Sequence, residues 1–232
     1  MMRCWCHAVM AVWLGSTSAE ASAATPGALQ RWQTECERAG FDCATRVEAI
    51  ALRLKTSRAV RSANTLRLLT DAGEFSFTDA PHHGSHGVQH RYLGRLDRGG
   101  YHLMWRRYAY GDRFVLVSDS SGEETLLDAL PCPSPSGRHM IVISRGHPAS
   151  GTRSVTVFSV EPARLTPEYR FEPGHSVLYR FVQWDSEEAV RLEISPPGAP
   201  ASMPTRHETL SRHHGNWQFR PAVAEPAPLR HA

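Results

Sequence analysis

The sequence predicts a mainly β fold, an antiparallel meander of roughly ten to twelve short strands in layered sheets, preceded by one or two N-terminal helices. Three observations carry that expectation. Short apolar runs recur along the chain with Gly, Asp, Ser or Pro punctuation between them. The run Phe114-Val115-Leu116-Val117 is apolar on both faces of an extended chain, so its strand should be covered on both sides. With 41% apolar content, 232 residues can bury a proper core, most simply as one domain.

Residues 1–23 read as a secretory leader. Arg3 gives the charged start, Ala8 to Leu14 the short apolar run, and Ala21-Ser22-Ala23 the small-residue cleavage site. The apolar run is too short to span a bilayer. Cys4 and Cys6 precede it, so they do not form a lipoprotein anchor. The expected product is periplasmic or secreted and keeps no membrane contact after cleavage. A single β-rich domain with an N-terminal helical segment is assigned to residues 24–220. Residues 221–232 lack apolar periodicity and read as a flexible tail.

Thr25-Pro26 is a helix start, an N-cap followed by proline in the first turn. Leu29, Trp32, Cys36 and Ala39 share one helical face, and Gly40 is placed to end it. The segment Arg46 to Leu54 fits helix or strand, with helix preferred. Cys36, Cys43 and Cys132 outlast leader removal. In an oxidising compartment the near pair Cys36 and Cys43 is the expected disulfide. By the chain-entropy model so short a loop contributes ~2 kcal/mol. Cys132 is left as a buried thiol.

Thr65–Thr70 and Glu74–Thr78 flank Asp71-Ala72-Gly73 as a hairpin, with Leu66 and Leu68 opposing Phe75 and Phe77. A Tyr-rich strand from Tyr101 is followed by the Phe114–Val117 strand, the turn Asp119-Ser120-Ser121-Gly122 and a partner strand from Glu124 to Leu130. Pro131 to Gly137 holds three prolines and is expected to leave the ladder, which resumes at Met140–Ile143. Further strands are read at Ser154–Val160, Leu165–Glu172, Tyr179–Trp184, Ala189–Ser195, His207–Ser211 and Trp217–Arg220.

The segment Ser134 to Ser144, SPSGRHMIVIS, resembles the Ser-Pro-Asp-Gly turn and following apolar strand of WD-repeat-like and TolB-like β-propeller blades. Here Ser136 stands where that motif has Asp. The wider layout, through the closing Gly-x-Trp strand, also looks like that of uncharacterised secreted bacterial proteins. The resemblance implies a partial-propeller-like arrangement and carries no activity with it. Roughly 209 residues after the leader, at ~40–45 per blade, do not close a large ring. An incomplete ring leaves strand edges, which invite a protein partner or a covering helix.

Net charge is +3, and Lys55 is the single lysine. The arginines are scattered among acids rather than grouped, which argues against nucleic acid as a partner. The mature chain has no GxSxG elbow, phosphate loop or CxxC pair, and no cofactor is expected. Glu123-Glu124 and Glu187-Glu188 fall at hairpin turns and read as solvated acids. Trp105, Tyr108 and Tyr110 could line a groove, but alternating aromatics on a strand are more often core or cross-strand pairs. His82, His83, His86 and His90 lie in one short stretch. His82 and His86 have the i, i+4 spacing with which a helix holds zinc, but Gly84 and Gly87 oppose a helix. The expected function is an exported, non-enzymatic binding or interaction module. The alternative is a metal-binding protein or hydrolase using loop 82–90, with His82, His83 and His86 as ligands.

Overall fold

The computed structural model describes residues 41–54, 57–80, 87–96, 99–146, 152–200 and 206–221. Fifteen strands and one helix are present among them. The helix, α1, spans Phe41–Ala51. Ala44, Val47 and Ala51 recur at helical spacing and face the core. This agrees with the helix preferred for Arg46–Leu54, although the helix begins and ends earlier than that segment.

The strands form four consecutive antiparallel meanders. The first sheet holds β1 (Ala59–Ser62), β2 (Thr65–Thr70) and β3 (Gly73–Thr78). In the second, β4 (Val88–Leu96), β5 (Tyr101–Tyr108), β6 (Gly111–Ser118) and β7 (Glu124–Leu127) lie in chain order. The third contains β8 (Cys132–Pro133), β9 (His139–Arg145), β10 (Arg153–Glu161) and β11 (Arg164–Phe171). The fourth contains β12 (Leu178–Ser186), β13 (Ala189–Ser195), β14 (Arg206–His213) and β15 (Asn216–Pro221). The hairpin expected at Thr65–Thr78 forms with Leu66 opposite Phe77 and Leu68 opposite Phe75.

Period-two alternation sends successive side chains into different seams. In β6, Val115 and Val117 turn toward the first sheet, where they join Leu66, Leu68 and Phe77. Phe114 and Leu116 turn the other way and pack with Met140 and Val142 of the third sheet. On the far side of β9, Ile141 meets Val190, Leu192, Leu210 and Trp217 of the fourth. The two middle sheets are therefore covered on both faces. The outward faces of the end sheets are exposed: on the first, Arg67 and Glu74 lie beside exposed Val60 and Leu69, and on the fourth lie Arg191, Gln218 and Arg220. None of the three core clusters joins the first sheet to the fourth.

Three strands depart from the expected layout. Pro131 to Gly137 does not leave the ladder entirely, because Cys132 and Pro133 pair with Ile141 and Met140 as the edge strand β8. Proline is tolerated there because an edge strand has one side without ladder partners. His90, at the end of the stretch read as loop 82–90, lies inside β4 and is buried at 5% exposure. Its ring nitrogen Nδ1 is 3.1 Å from Asp79, and its backbone N–H donates to the same carboxylate at 2.7 Å. β1 is the third addition.

Candidate functional site

The antiparallel meanders bring the end of β6, the end of β10 and the β12–β13 turn to the same end of the stack, and polar groups there brace each seam. At the first seam, Asp119 follows β6 and is 3% exposed. Its backbone carbonyl accepts from the N–H groups of Asp71 and Ala72 in the β2–β3 turn. Its carboxylate takes Arg95, Arg58 at 3.3 Å and His102 Nε2 at 3.3 Å. The other ring nitrogen of His102 is 3.2 Å from the Tyr92 hydroxyl. Burial pushes the His102 pKa below its ordinary value against the opposing pull of Asp119. Burial also pushes Tyr92 up to about 12. Neutral His102 therefore donates from Nε2 to Asp119 and accepts the Tyr92 proton at Nδ1. Tyr92 and His102 are both fully buried, out of reach of a substrate, so the chain of groups braces the seam.

At the second seam, the Tyr101 hydroxyl donates to the Glu161 carbonyl at 3.0 Å, and Ser120 donates to the Pro162 carbonyl at 2.8 Å. At the third, Glu187 in the β12–β13 turn reaches the Ser134–Gly137 turn of the preceding sheet. It accepts from the Ser134 hydroxyl at 2.8 Å and from both the hydroxyl and the backbone N–H of Ser136. Burial raises the Glu187 pKa, but the donors of Ser136 and Ser134 outweigh it and hold the carboxyl below its usual range. The reading of Glu187 as a solvated turn acid is thus corrected. The turn has Ser at position 136, and a carboxylate from the next sheet supplies the acceptor. The neighbouring Glu168 accepts from Trp217 Nε1 at 2.9 Å and Arg212 at 3.3 Å, with His139 at 3.4 Å.

Beside this third brace opens a cleft of about 570 Å³, lined from the third sheet by Arg138, His139, Ser159, Val160 and Glu161, and from the fourth by Ser186, Glu187, Glu188 and Arg212. The charges in it divide into two groups. Glu187 and Arg212 are committed to partners in the fold. The Glu161 and Glu188 carboxylates make no hydrogen bond or ion pair among the described residues. Arg138 donates from Nε to the Ser136 hydroxyl at 3.2 Å, and its charge helps hold the Glu187 carboxyl low, so it belongs to the same brace.

His82, His83 and His86 lie outside the described residues, as does Cys36. No group of three His, Cys, Asp or Glu side chains is placed to hold a metal among the described residues. Cys43 is buried on α1, and Cys132 is the free cysteine among the described residues, also buried. Trp105 packs in the core, stacked on its cross-strand neighbour Phe114 at 5.9 Å. Tyr108 and Tyr110 are exposed. The three aromatics do not form a groove. No helix among the described residues is long and apolar enough to cross a membrane. Sequence reasoning missed the cleft residues, and Ser136 in the Ser134–Gly137 turn was the one of its neighbours that it singled out. Compared with protein-family models, curated proteins and solved structures, the chain finds no match.

Proposed function

We propose that the chain is an exported, non-enzymatic binding module made of blade-like sheets, with its ligand site in the cleft between the third and fourth sheets. The observation that carries this reading is the cleft itself: a concave space between two sheets, lined by charged groups of both signs. Small-molecule sites are typically concave, 300–1,000 Å³ in size, with a few convergent polar groups. Support for the blade-like description comes from the Ser134–Gly137 turn and from sheets that each run as a simple meander. The leader at residues 1–23 supports export, and an oxidising compartment suits a Cys36–Cys43 link, since Cys43 is not a free thiol. The edge strand β7, with Leu126 55% exposed, is the position for a protein partner.

The test is a chemical-shift screen of the isotope-labelled protein against pools of amino acids, short peptides, polyamines and sugar phosphates. Saturable shifts centred on Arg138, Glu161 and Glu188 are expected. Stoichiometric zinc in untagged protein, lost when His82, His83 and His86 are replaced by alanine, would put the metal-dependent reading in its place.

A further inference from the structure

We infer that the first seam is an acid-sensitive joint: protonation of His102 releases the first sheet from the second while the far end of the row stays closed. The imidazole is 0% exposed, and both of its ring nitrogens are committed. Nε2 faces the Asp119 carboxylate, which already serves Arg95 and Arg58. Nδ1 faces the Tyr92 hydroxyl and accepts its proton only while that nitrogen is bare. Protonation therefore sets a third cation on one buried carboxylate and takes away the acceptor of the Tyr92 hydroxyl. Burial disfavours the charged ring, and Arg95 and Arg58 add to that against the pull of Asp119. In an opened seam the imidazole meets water, so the open form takes up the proton that the closed form excludes.

The groups around His102 are what tie the two sheets together. Tyr92 and Arg95 come from β4 and Asp119 follows β6, whereas Arg58 leads into β1 and is held at 2.6 Å by Asp71 of the β2–β3 turn. The same seam has a second polar tie, in which Arg61 of β1 reaches Glu48 of α1 and Asp79, with His90 and Arg91 also on Asp79. Its apolar part is a single cluster, where Leu66, Leu68 and Phe77 meet Tyr92, Val115 and Val117. The first sheet enters no other core cluster among the described residues. Three strands stripped of their packing partner have no core of their own, so release of the seam unfolds this sheet locally. It also bares Val115 and Val117 of β6, an apolar face that the closed form hides completely.

The experiment is amide hydrogen exchange of the full chain between about pH 7.5 and 5.5, corrected for the intrinsic pH dependence of exchange. The opening constant of the β2 amides should rise by up to about tenfold per pH unit below about 6.5, the signature of one proton taken up on opening. Amides of β13 in the fourth sheet should show no such rise. His102→Gln, which carries a donor and an acceptor but no titrating ring, should remove the slope in β2. The wild type supplies a second measurement that needs no variant: at about pH 6.5, where an ordinary histidine is half protonated, the His102 ring shifts should be those of the neutral imidazole. A half-protonated His102 ring at that pH would overturn the inference. So would a flat β2 profile, a β2 slope that persists in His102→Gln, or an equal slope in β13, which would mark opening of the whole chain.

Discussion

Glu187 is where the fold can be tested most directly. Its carboxylate accepts three hydrogen bonds from the preceding sheet, two from hydroxyls and one from a backbone N–H. Hydrogen bonds to a charged group contribute ~1.5–3 kcal/mol each, but three bonds sharing one half-exposed carboxylate are not additive. Glu187→Ala, which leaves the Ser136 N–H without its acceptor, is therefore expected to cost about 3 kcal/mol. Glu187→Gln retains an acceptor oxygen for that N–H and loses chiefly the charge, for a cost of about 1 kcal/mol. Urea unfolding measures both, with the m-value unchanged if only the native brace is lost. The pH dependence supplies the sign. Because the folded pKa lies below the ordinary value of 4.5, the contribution is complete above pH 4.5 and fades as pH falls through the folded value. The gap between wild type and Glu187→Gln should close in that window. A Glu187→Ala protein within 0.5 kcal/mol of wild type would refute the brace.

Three further outcomes are expected. His102 has a folded pKa below the ordinary 6.5, so the unfolded chain takes its proton first and stability drops as pH falls below 6.5, by at most about 1.4 kcal/mol per pH unit from this residue. His102→Gln, compared with wild type by urea midpoints at about pH 7.5 and 5.5, should flatten that slope; an unchanged slope would remove His102 as its source. Ala63 sits at φ 49° in the two-residue loop between β1 and β2, a left-handed conformation that costs an L-residue ~1–2 kcal/mol. Ala63→Gly regains this less ~0.4–1 kcal/mol of unfolded-state entropy, so the melting temperature should rise by about 2 °C. Mass mapping of the non-reduced protein should find Cys36 linked to Cys43, and a Cys132-containing link would overturn that pairing.

Where apolar alternation alone sets a strand, the sequence was sufficient. The Thr65–Thr78 hairpin and the two-faced strand around Phe114–Val117 were both legible, because each side chain's destination follows from its parity. The strand β4 was not. Its Arg91 and His90 are both bonded to Asp79, and Glu48 on α1 accepts from the Tyr92 backbone N–H at 2.9 Å. Burial of those polar residues depends on partners distant in sequence. A bulge between Tyr92 and Gly94 also breaks the period of two. β8 was hidden by its proline, and β1 by having only four residues. The cleft was hidden for a related reason. Glu187 beside Glu188 in a turn has the local look of a solvated pair, and only the placement of the next sheet shows that one acid is spent internally and the other is not.

That no core cluster among the described residues joins the first sheet to the last has a mechanical consequence. A closed ring shares strain among all of its members, whereas an open row whose neighbours meet only pairwise has two ends that can loosen independently. Among the described residues, each core cluster joins sheets that are neighbours in sequence. A molecule seated between the last two would act as a wedge or a rivet on one joint, tightening or splaying the terminal sheet without disturbing the joint at the opposite end of the row.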